Sequence, residues 1–222
     1  MPNSITVKGT GCVHVPPDTI EISFTLQAKA EDYSETMQIA EKKRNSLHGA
    51  VASAGCKPDD LKTTNFQVNT NYEHLPDESG NYRPVFRGYI CTHSFRLELP
   101  VNMDLLGQVL VAADQSAAEP EFSVSFTVKN RNAVQEKVLR DAAAKAKQNA
   151  EILADASGVT LGALLSVTYA ATDTPMVSET RCTLGAMRKV AACGDNAMSI
   201  SPDDITVEET AVFVWEIGGS AQ

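Results

Sequence analysis

The amino-acid sequence predicts an α+β fold, in which antiparallel sheet packs against three helices on one of its faces. Several segments alternate apolar and polar side chains with the two-residue period of a half-buried strand. Three longer segments repeat apolar residues at helical spacing. In chain order they predict β-β-α-β-β-α-β-α-β-β. The length of 222 residues, with 43% hydrophobic and 21% charged residues, fits a single domain over residues 1–222.

The first two segments predict strands joined by a short turn. The apolar face of the first strand, residues 5–15, consists of Ile5, Val7, Val13 and Val15. Gly9 and Gly11 interrupt this face, which predicts a bend or bulge where another backbone approaches closely. The turn follows at Pro16-Pro17-Asp18. The second strand, residues 19–30, has its own apolar face at Ile20, Ile22, Phe24, Leu26 and Ala28.

Three segments predict amphipathic helices, at residues 33–54, 102–116 and 132–156. The apolar stripes that should face the sheet are Tyr33, Ala40, Leu47, Val51 and Ala54; then Leu106, Val109, Leu110 and Ala113; then Val138, Leu139, Ala142, Ala146 and Leu153. The alanine content of the third helix predicts a close approach to a sheet. Its exposed face carries i,i+4 ion pairs, Glu136–Arg140 and Asp141–Lys145.

The other strands are predicted at residues 62–72, 88–99, 122–128, 163–170 and 205–217. Residues 73–87 are polar and predict a long loop at the tip of a hairpin. Residues 88–99 share one apolar face, made of Tyr89, Cys91, His93, Phe95, Leu97 and Leu99. Residues 171–202 are rich in Thr, Ser, Ala, Gly and Asp without a stable period. They predict a polar flexible segment.

Charge and composition limit the kinds of function. A net charge of −9 opposes the binding of phosphate backbones, so no nucleic-acid partner is expected. No stretch reaches the ~18 apolar residues of a membrane helix. No signal peptide is visible, which predicts a cytoplasmic location, with the periplasm or the extracellular space as the alternative if one has been removed.

The cysteines favour a reduced protein. Their irregular spacing does not suggest a disulfide framework. They are Cys12, Cys56, Cys91, Cys182 and Cys193. The two within the late polar segment, Cys182 and Cys193, are candidates for redox sensing if exposed, although inert loop cysteines explain them more simply.

Two Cys-X-His pairs are the candidates for a metal site: Cys12 with His14, and Cys91 with His93. Residues two apart on a strand share a face, and the two pairs together could supply four zinc ligands. The strand patterns argue against a shared site. Cys12 and His14 fall on the polar face of their strand, whereas Cys91 and His93 fall on an apolar face. A surface histidine and a core-edge cysteine explain the pattern more simply, so the sequence predicts no metal or other cofactor.

Other chemistries find less support. A cysteine–histidine nucleophile pair lacks the strand-to-helix elbow and oxyanion turn that such sites use. Asp59-Asp60 and Asp203-Asp204 follow prolines, and turn chemistry explains them without catalysis. Gly9-Thr10-Gly11 does not open a helix and is too short for a phosphate loop. Trp215 is expected in the core or at a subunit interface. No catalytic residue is predicted.

The same segments resemble the SIMPL-domain family over nearly the whole chain. The resemblance lies in residues 5–11 with Val13 and the Pro17-Asp18 turn, in residues 60–66, in Gly88-Tyr89, and in the run of residues 141–146 with Ala150, Leu153-Ala154, Gly158-Val159 and Gly162. Residues 202–217 resemble the closing strand of the family. The order and spacing of these motifs carry the resemblance.

The resemblance implies a limited set of properties. Bacterial members are often exported to the periplasm or envelope, are associated with oxidative stress or immunogenicity, and can form large homo-oligomers. The animal member is similar to an adaptor in kinase signalling, and the family has no established catalytic residues. We therefore expect a non-enzymatic, self-associating interaction protein linked to stress or the envelope, with a protein partner possible. The alternative is a small-molecule- or metal-binding stress protein.

Overall fold

The computed structural model describes residues 3–76, 82–171, 174–180 and 200–220. Within them the elements follow the predicted order and confirm the α+β class. The elements are β1 (Ser4–Val15), β2 (Thr19–Ala30), α1 (Tyr33–Ser53), β3 (Lys62–Pro76), β4 (Tyr82–Pro100), α2 (Met103–Asp114), β5 (Glu121–Thr127), α3 (Arg131–Ala156), β6 (Val159–Tyr169) and β7 (Ile205–Ser220). A 3₁₀ turn at Pro58–Asp60 precedes β3.

The described strands form two sheets, of three strands in the order β1-β7-β6 and of four strands in the order β3-β4-β2-β5. The pairs β1–β7, β6–β7, β2–β4 and β3–β4 are all antiparallel. Each sheet belongs to one of two compact units. The first unit comprises residues 1–17, 127–179 and 202–222, and the second comprises residues 18–126 and 180–201. Whether the chain folds as a single domain stays a prediction.

In the first unit, α3 lies directly on β1, and the strand glycines permit this contact. A Cβ on Gly9 would collide with the carbonyl oxygen of Ala142, and a Cβ on Gly11 with that of Val138. The prediction of close backbone approach is therefore confirmed. The accompanying prediction of a bend or bulge is wrong, because β1 pairs with β7 in unbroken register from Ser4 to Val15.

The buried stripe of α3 differs from the predicted one. It follows an i,i+4 row of small side chains and consists of Val134, Val138, Ala142, Ala146, Ala150 and Ala154. Leu139 is only half-buried and Leu153 is exposed, contrary to prediction. The helix meets the glycines with its alanine face, so the two leucines lie beside the contact rather than within it.

In the second unit, α1 and α2 share a core with one face of the four-stranded sheet. The fully buried side chains of this core include Ile20, Ile22, Phe24, Phe95, Leu97, Leu47, Val51, Leu106, Val109 and Phe126. They confirm the predicted apolar faces of β2, β4, α1 and α2. Tyr33 is an exception, because it lies exposed at the first turn of α1, where the helix extends past the core.

The hairpin of β3 and β4 is longer than predicted. Residues 73–76 and 82–87 form strand rather than loop, and β3 pairs with β4 as far as Pro76 and Tyr82. β2 pairs with β4 only from Tyr89 onward. Residues 70–76 and 82–88 therefore form a two-stranded ribbon, which we call the arm.

The late polar segment is partly described. Residues 174–179 belong to the first unit: Met176 is buried, and its carbonyl accepts a hydrogen bond from the Thr127 hydroxyl at 2.7 Å. Ser178 is also buried and donates to the carbonyl of Asp203 at 2.8 Å. Side-chain contacts that the local pattern does not show therefore hold Met176 and Ser178, and the flexibility of the segment stays a prediction. Residues 172–173 and 181–199 lie outside the described residues.

Candidate functional site

The first Cys-X-His pair lies on the outer face of β1. The Cys12 Sγ lies 3.9 Å from Nε2 of His14, and Nδ1 of His14 lies 3.0 Å from the Thr206 hydroxyl on β7. Thr206 is the register partner of His14, so the antiparallel pairing orients the imidazole. Cys12 and His14 therefore lie on the polar face of β1, as the sequence predicts.

The surroundings of Cys12 favour the neutral thiol. Desolvation raises its pKa, and the hydrogen bond and negative charge of Glu208 raise it further. A thiol rather than a thiolate is a poor nucleophile and a poor metal ligand. The backbone N–H of Cys12 donates to the Asp141 carboxylate at 2.9 Å. Asp141 also pairs with Lys145 at 2.8 Å, and these two contacts lower its pKa.

The second pair lies on the buried face of β4. Cys91 is fully buried, and His93 is 9% exposed. Nε2 of His93 lies 3.0 Å from the Thr63 hydroxyl, and its ring meets the edge of Phe66 at a centroid distance of 5.0 Å. These contacts satisfy the imidazole within the protein and leave it part of the core.

Two histidines of the second unit, His48 and His93, have lowered pKa values. Burial lowers the pKa of His93, and the positive charges of Arg44 and His48 lower it further. Burial and Arg44 also lower the pKa of His48, with Asp59 acting in the opposite direction. Burial raises the pKa of the Cys91 thiol. The site thus resists protonation of either imidazole.

The two Cys-X-His pairs lie on different sheets of the described chain. Cys12 and His14 belong to the three-stranded sheet, and Cys91 and His93 to the four-stranded sheet. Among the described residues, no group of three or more His, Cys, Asp or Glu side chains is placed to hold a metal ion.

The other residues singled out from the sequence have structural positions or are not described. Asp59 and Asp60 lie in the 3₁₀ turn. Trp215 belongs to the core and stacks on Phe213 at a centroid distance of 5.5 Å. Cys182 and Cys193 lie outside the described residues, so redox sensing there stays a prediction.

Sequence reasoning missed a polar cluster around the buried Glu209 in the first unit. The Gln135 amide on α3 donates to the Tyr169 hydroxyl at 2.9 Å and to the Glu209 carboxylate at 3.1 Å. Glu209 is only 2% exposed. The cluster ties α3 to β6 and β7. The sequence signals this cluster only through the position of Glu209. Glu209 lies two residues before Ala211 on the same strand, so it shares the face of Ala211, Phe213 and Trp215.

The arm presents an uncharged aromatic face. Its register pairs are Tyr72 with Phe86, His74 with Pro84, and Pro76 with Tyr82, all on one face. The rings of Tyr72 and Phe86 meet at a centroid distance of 5.6 Å, yet Tyr72 is 52% and Phe86 47% exposed. Edge-to-face contacts between aromatic rings also join Phe86 to Tyr89 and Tyr89 to Tyr33. Because these residues were assigned to a polar loop, the sequence reading missed this surface, although the alternation of Tyr82, Pro84 and Phe86 signals it.

A second exposed apolar surface follows β6, an edge strand of the three-stranded sheet. Its large exposed side chains are Leu164, Leu165, Val167 and Tyr169. The flank of α3 beside it forms a shallow groove lined by Asn132, Gln135, Glu136, Leu139, Arg140 and Ala143. None of the described helices is both long and apolar enough to cross a membrane.

Curated relatives share most of the chain. The 26 kDa periplasmic immunogenic protein of Brucella melitensis biotype 1 is 23% identical over 216 residues, which cover 97% of this chain and 85% of the relative. The uncharacterized protein YggE of Edwardsiella ictaluri is 25% identical over 177 residues, covering 80% and 72% of the two chains.

Among solved structures, an uncharacterized conserved protein from Listeria innocua is 9% identical and covers 95% of this chain and 92% of that one, with a TM-score of 0.26. That likeness is too low to support any argument about fold or function. The family described as SIMPL, a protein family of unknown function (DUF541), matches residues 5–215. The chain therefore belongs to the SIMPL family.

Proposed function

We propose that this protein is a non-enzymatic assembly protein whose working form is built from several copies of the chain. The observation that carries the proposal is the arm, whose aromatic face is exposed and has no core of its own. A two-stranded ribbon is marginally stable in water, and contiguous exposed apolar surface commonly marks an interaction site. A partner that covers this face would stabilise the ribbon.

The charge pattern favours a second copy as that partner. The chain carries a net charge of −9, so two copies repel each other over most approaches. The face formed by Tyr72, His74, Pro76, Tyr82, Pro84 and Phe86 carries no carboxylate, lysine or arginine. Two such faces can meet without bringing like charges together.

The prolines of the arm favour packing through its face rather than its edges. Pro76 and Pro84 have no backbone N–H, and proline on a free strand blocks further strand pairing. The opposite face of the arm carries Glu73 and Arg87, which form an ion pair at 2.8 Å. That face is therefore suited to water, and the aromatic face to contact.

The non-enzymatic part of the proposal rests on the environments of the candidate residues. The thiols of Cys12 and Cys91 have raised pKa values, and His93 is engaged with Thr63. Burial, hydrogen bonds and neighbouring charges explain the shifted pKa values of Cys12, Cys91 and His93. An activated cysteine nucleophile needs a lowered thiol pKa and an accessible cleft, so the raised values do not favour nucleophilic catalysis.

A periplasmic location fits this proposal better than the cytoplasmic one expected from the sequence. The Brucella relative, which matches 97% of this chain, is named as a periplasmic protein. Cell fractionation of the native host would test the location. A link to oxidative stress, implied by the family resemblance, stays a prediction.

Sedimentation velocity across micromolar concentrations tests assembly. We expect a mass above the 23.8 kDa of one chain, and a shift toward the monomer when Tyr72→Ser and Phe86→Ser are combined. Val85→Ser is the matched control, because it removes an exposed apolar side chain from the opposite face of the same ribbon. A wild-type protein that is monomeric throughout contradicts the proposal. So does a monomer that binds phospholipid vesicles through Tyr72 and Phe86.

A further inference from the structure

The edge strand β6 is unusual in lacking any charged residue. Its 11 residues, VTLGALLSVTY, include no Asp, Glu, Lys or Arg. Leu164 is 50% and Val167 49% exposed. Edge strands of soluble proteins are normally protected by charge, proline, shortness or cover, because their free N–H and C=O groups can pair with another strand.

The opposite edge of the same sheet has such protection. On β1, the N–H of Cys12 is occupied by the Asp141 carboxylate, which is itself held by Lys145. A strand approaching there would have to displace a charged side chain from its backbone donor. No described contact provides an equivalent for β6, so the two edges of one sheet differ in their readiness to pair.

The register shows where β6 can pair regularly. Its pairing with β7 is irregular up to Ser166, with shifts between Val159 and Thr160 and again between Leu161 and Ser166. From Ser166 to Tyr169 it is regular, opposite Val214 to Ala211. Bulges discourage pairing where they occur. Residues 166–169, which we call the free edge, are therefore the stretch suited to a further strand.

The side chains around the free edge lie beside α3 but are not covered by it. Leu164 and Val167 lie opposite Trp215 and Phe213 on the face that packs against α3. Because Gly9 and Gly11 let α3 pack closely on β1, the helix lies over β1 and β7. Leu164 and Val167 therefore remain half exposed. Only Tyr169 is held, through its hydroxyl contact with Gln135.

We infer that the free edge pairs antiparallel with the free edge of a second copy, about a two-fold axis. A strand edge offers backbone donors and acceptors in a row that only another strand satisfies throughout. Antiparallel symmetric pairing places like faces together, so Val167 and Tyr169 of both copies extend one apolar surface. The strand is uncharged in a chain of net charge −9, so this is an edge where two copies meet without repulsion between their strands.

This inference rests on the proposed self-association and adds the place and geometry of one contact. It also predicts that the contact is separate from the arm. The β6 pairing joins the three-stranded sheets of two copies into a continuous six-stranded sheet, whereas the arm uses its aromatic face. Substitutions in one surface should leave the other able to associate.

A charge at the centre of the free edge tests the inference. In the symmetric pair, Val167→Lys brings two ammonium groups onto one face of neighbouring strands, which is destabilising. We expect light scattering to show the assembly mass reduced about twofold. Thr6→Lys is the matched control, since it adds the same charge at an exposed strand position of the same sheet. It should leave the mass unchanged.

Hydrogen exchange provides a readout that needs no substitution. Amides of residues 166–169 should exchange at least about tenfold more slowly in assembled wild-type protein than after dilution below the association range. Equal exchange at both concentrations contradicts the inference, whether or not Val167→Lys folds. An assembly that dissociates with the arm substitutions but ignores Val167→Lys also contradicts it, while leaving the proposed function standing. A wild-type monomer contradicts both.

Discussion

The two sheets of this protein meet their helices in opposite ways. On the three-stranded sheet, α3 rests on Gly9 and Gly11 with an alanine stripe, so two backbones approach closely. On the four-stranded sheet, α1 contacts a layer of large side chains, among them Phe24 and Phe95, through Leu47 and Val51. The contact of α3 with β1 has no room for an added side-chain atom, whereas the core of the four-stranded sheet is stabilised by its large side chains.

The difference has a consequence for exposed surface. Because α3 lies close to β1 and β7, it covers β6 only in part, and Leu164 and Val167 of that strand remain half exposed. The bulky core of the four-stranded sheet instead buries the apolar faces of β2 and of residues 91–99 of β4. Close packing of a helix at one edge of a sheet, here β1, can thus leave apolar side chains exposed at the other edge, here β6.

The largest expected effect comes from removing volume in the four-stranded sheet. Phe24→Ala should lower the free energy of unfolding by about 4 kcal/mol, because a fully buried ring is replaced by a cavity. Chemical denaturation measures this change. Phe66→Ala is the control, since Phe66 is 49% exposed, and we expect it to cost less than about 1.5 kcal/mol. Equal losses would contradict the assignment of the core.

Adding one methyl group to the three-stranded sheet should have the next largest effect. Gly11→Ala places a Cβ against the Val138 carbonyl and 2.7 Å from the Ala142 nitrogen. The backbone must move apart, and we expect a loss of about 3 kcal/mol in chemical denaturation. Gly49→Ala in α1 meets nothing within 4 Å. That control should instead stabilise the helix by about 0.5–1 kcal/mol. A tolerated Gly11→Ala would show that α3 is not held close to β1.

Acid should weaken the four-stranded unit through its buried histidine. The pKa of His93 in the folded protein lies below its ordinary value of 6.5, so the unfolded chain binds the proton more tightly. This stability is present above pH 6.5 and is lost as the pH falls from there through the lower folded pKa. The free energy of unfolding of His93→Gln, measured by urea denaturation from neutral to acidic pH, should depend less on pH. His74→Gln on the exposed arm should keep the wild-type slope, and a wild-type slope in His93→Gln would contradict the burial argument.

The smallest expected effect concerns the protected edge of the three-stranded sheet. Contacts with Lys145 and the Cys12 N–H lower the pKa of Asp141. Its contribution to stability is therefore present above the ordinary carboxyl pKa of 3.8 and lost as the pH falls through the lower folded value. Asp141→Asn should melt slightly below the wild type at neutral pH, and the difference should vanish in acid.

The control for this last prediction is Glu136→Gln, which removes an exposed i,i+4 partner of Arg140 without touching a strand. Scanning calorimetry should find no resolvable change for it, because exposed pairs contribute little. If Glu136→Gln and Asp141→Asn behave alike, the contact with Cys12 does not stabilise the edge of β1.

Local sequence pattern predicted the element order because strand and helix periods depend on neighbouring residues along the chain. The alternation of β2 and of residues 89–99 marked their buried faces correctly, and so did the polar phase of Cys12 and His14. The pattern failed at residues 73–76 and 82–87, where polar residues suggested a loop. These residues form strands because β3 and β4 pair with each other across the hairpin, and the local pattern does not show that pairing.

By itself, the sequence determined the fold class, the helices and strands, the close approach at Gly9 and Gly11, and membership of a family through motif order. Only the tertiary structure decided which surfaces remain available. The exposure of the arm and of β6 depends on where α3 and β2 stop covering their sheets. Coverage is set by contacts between distant segments, and residues with the same local pattern are buried in one place and exposed in another.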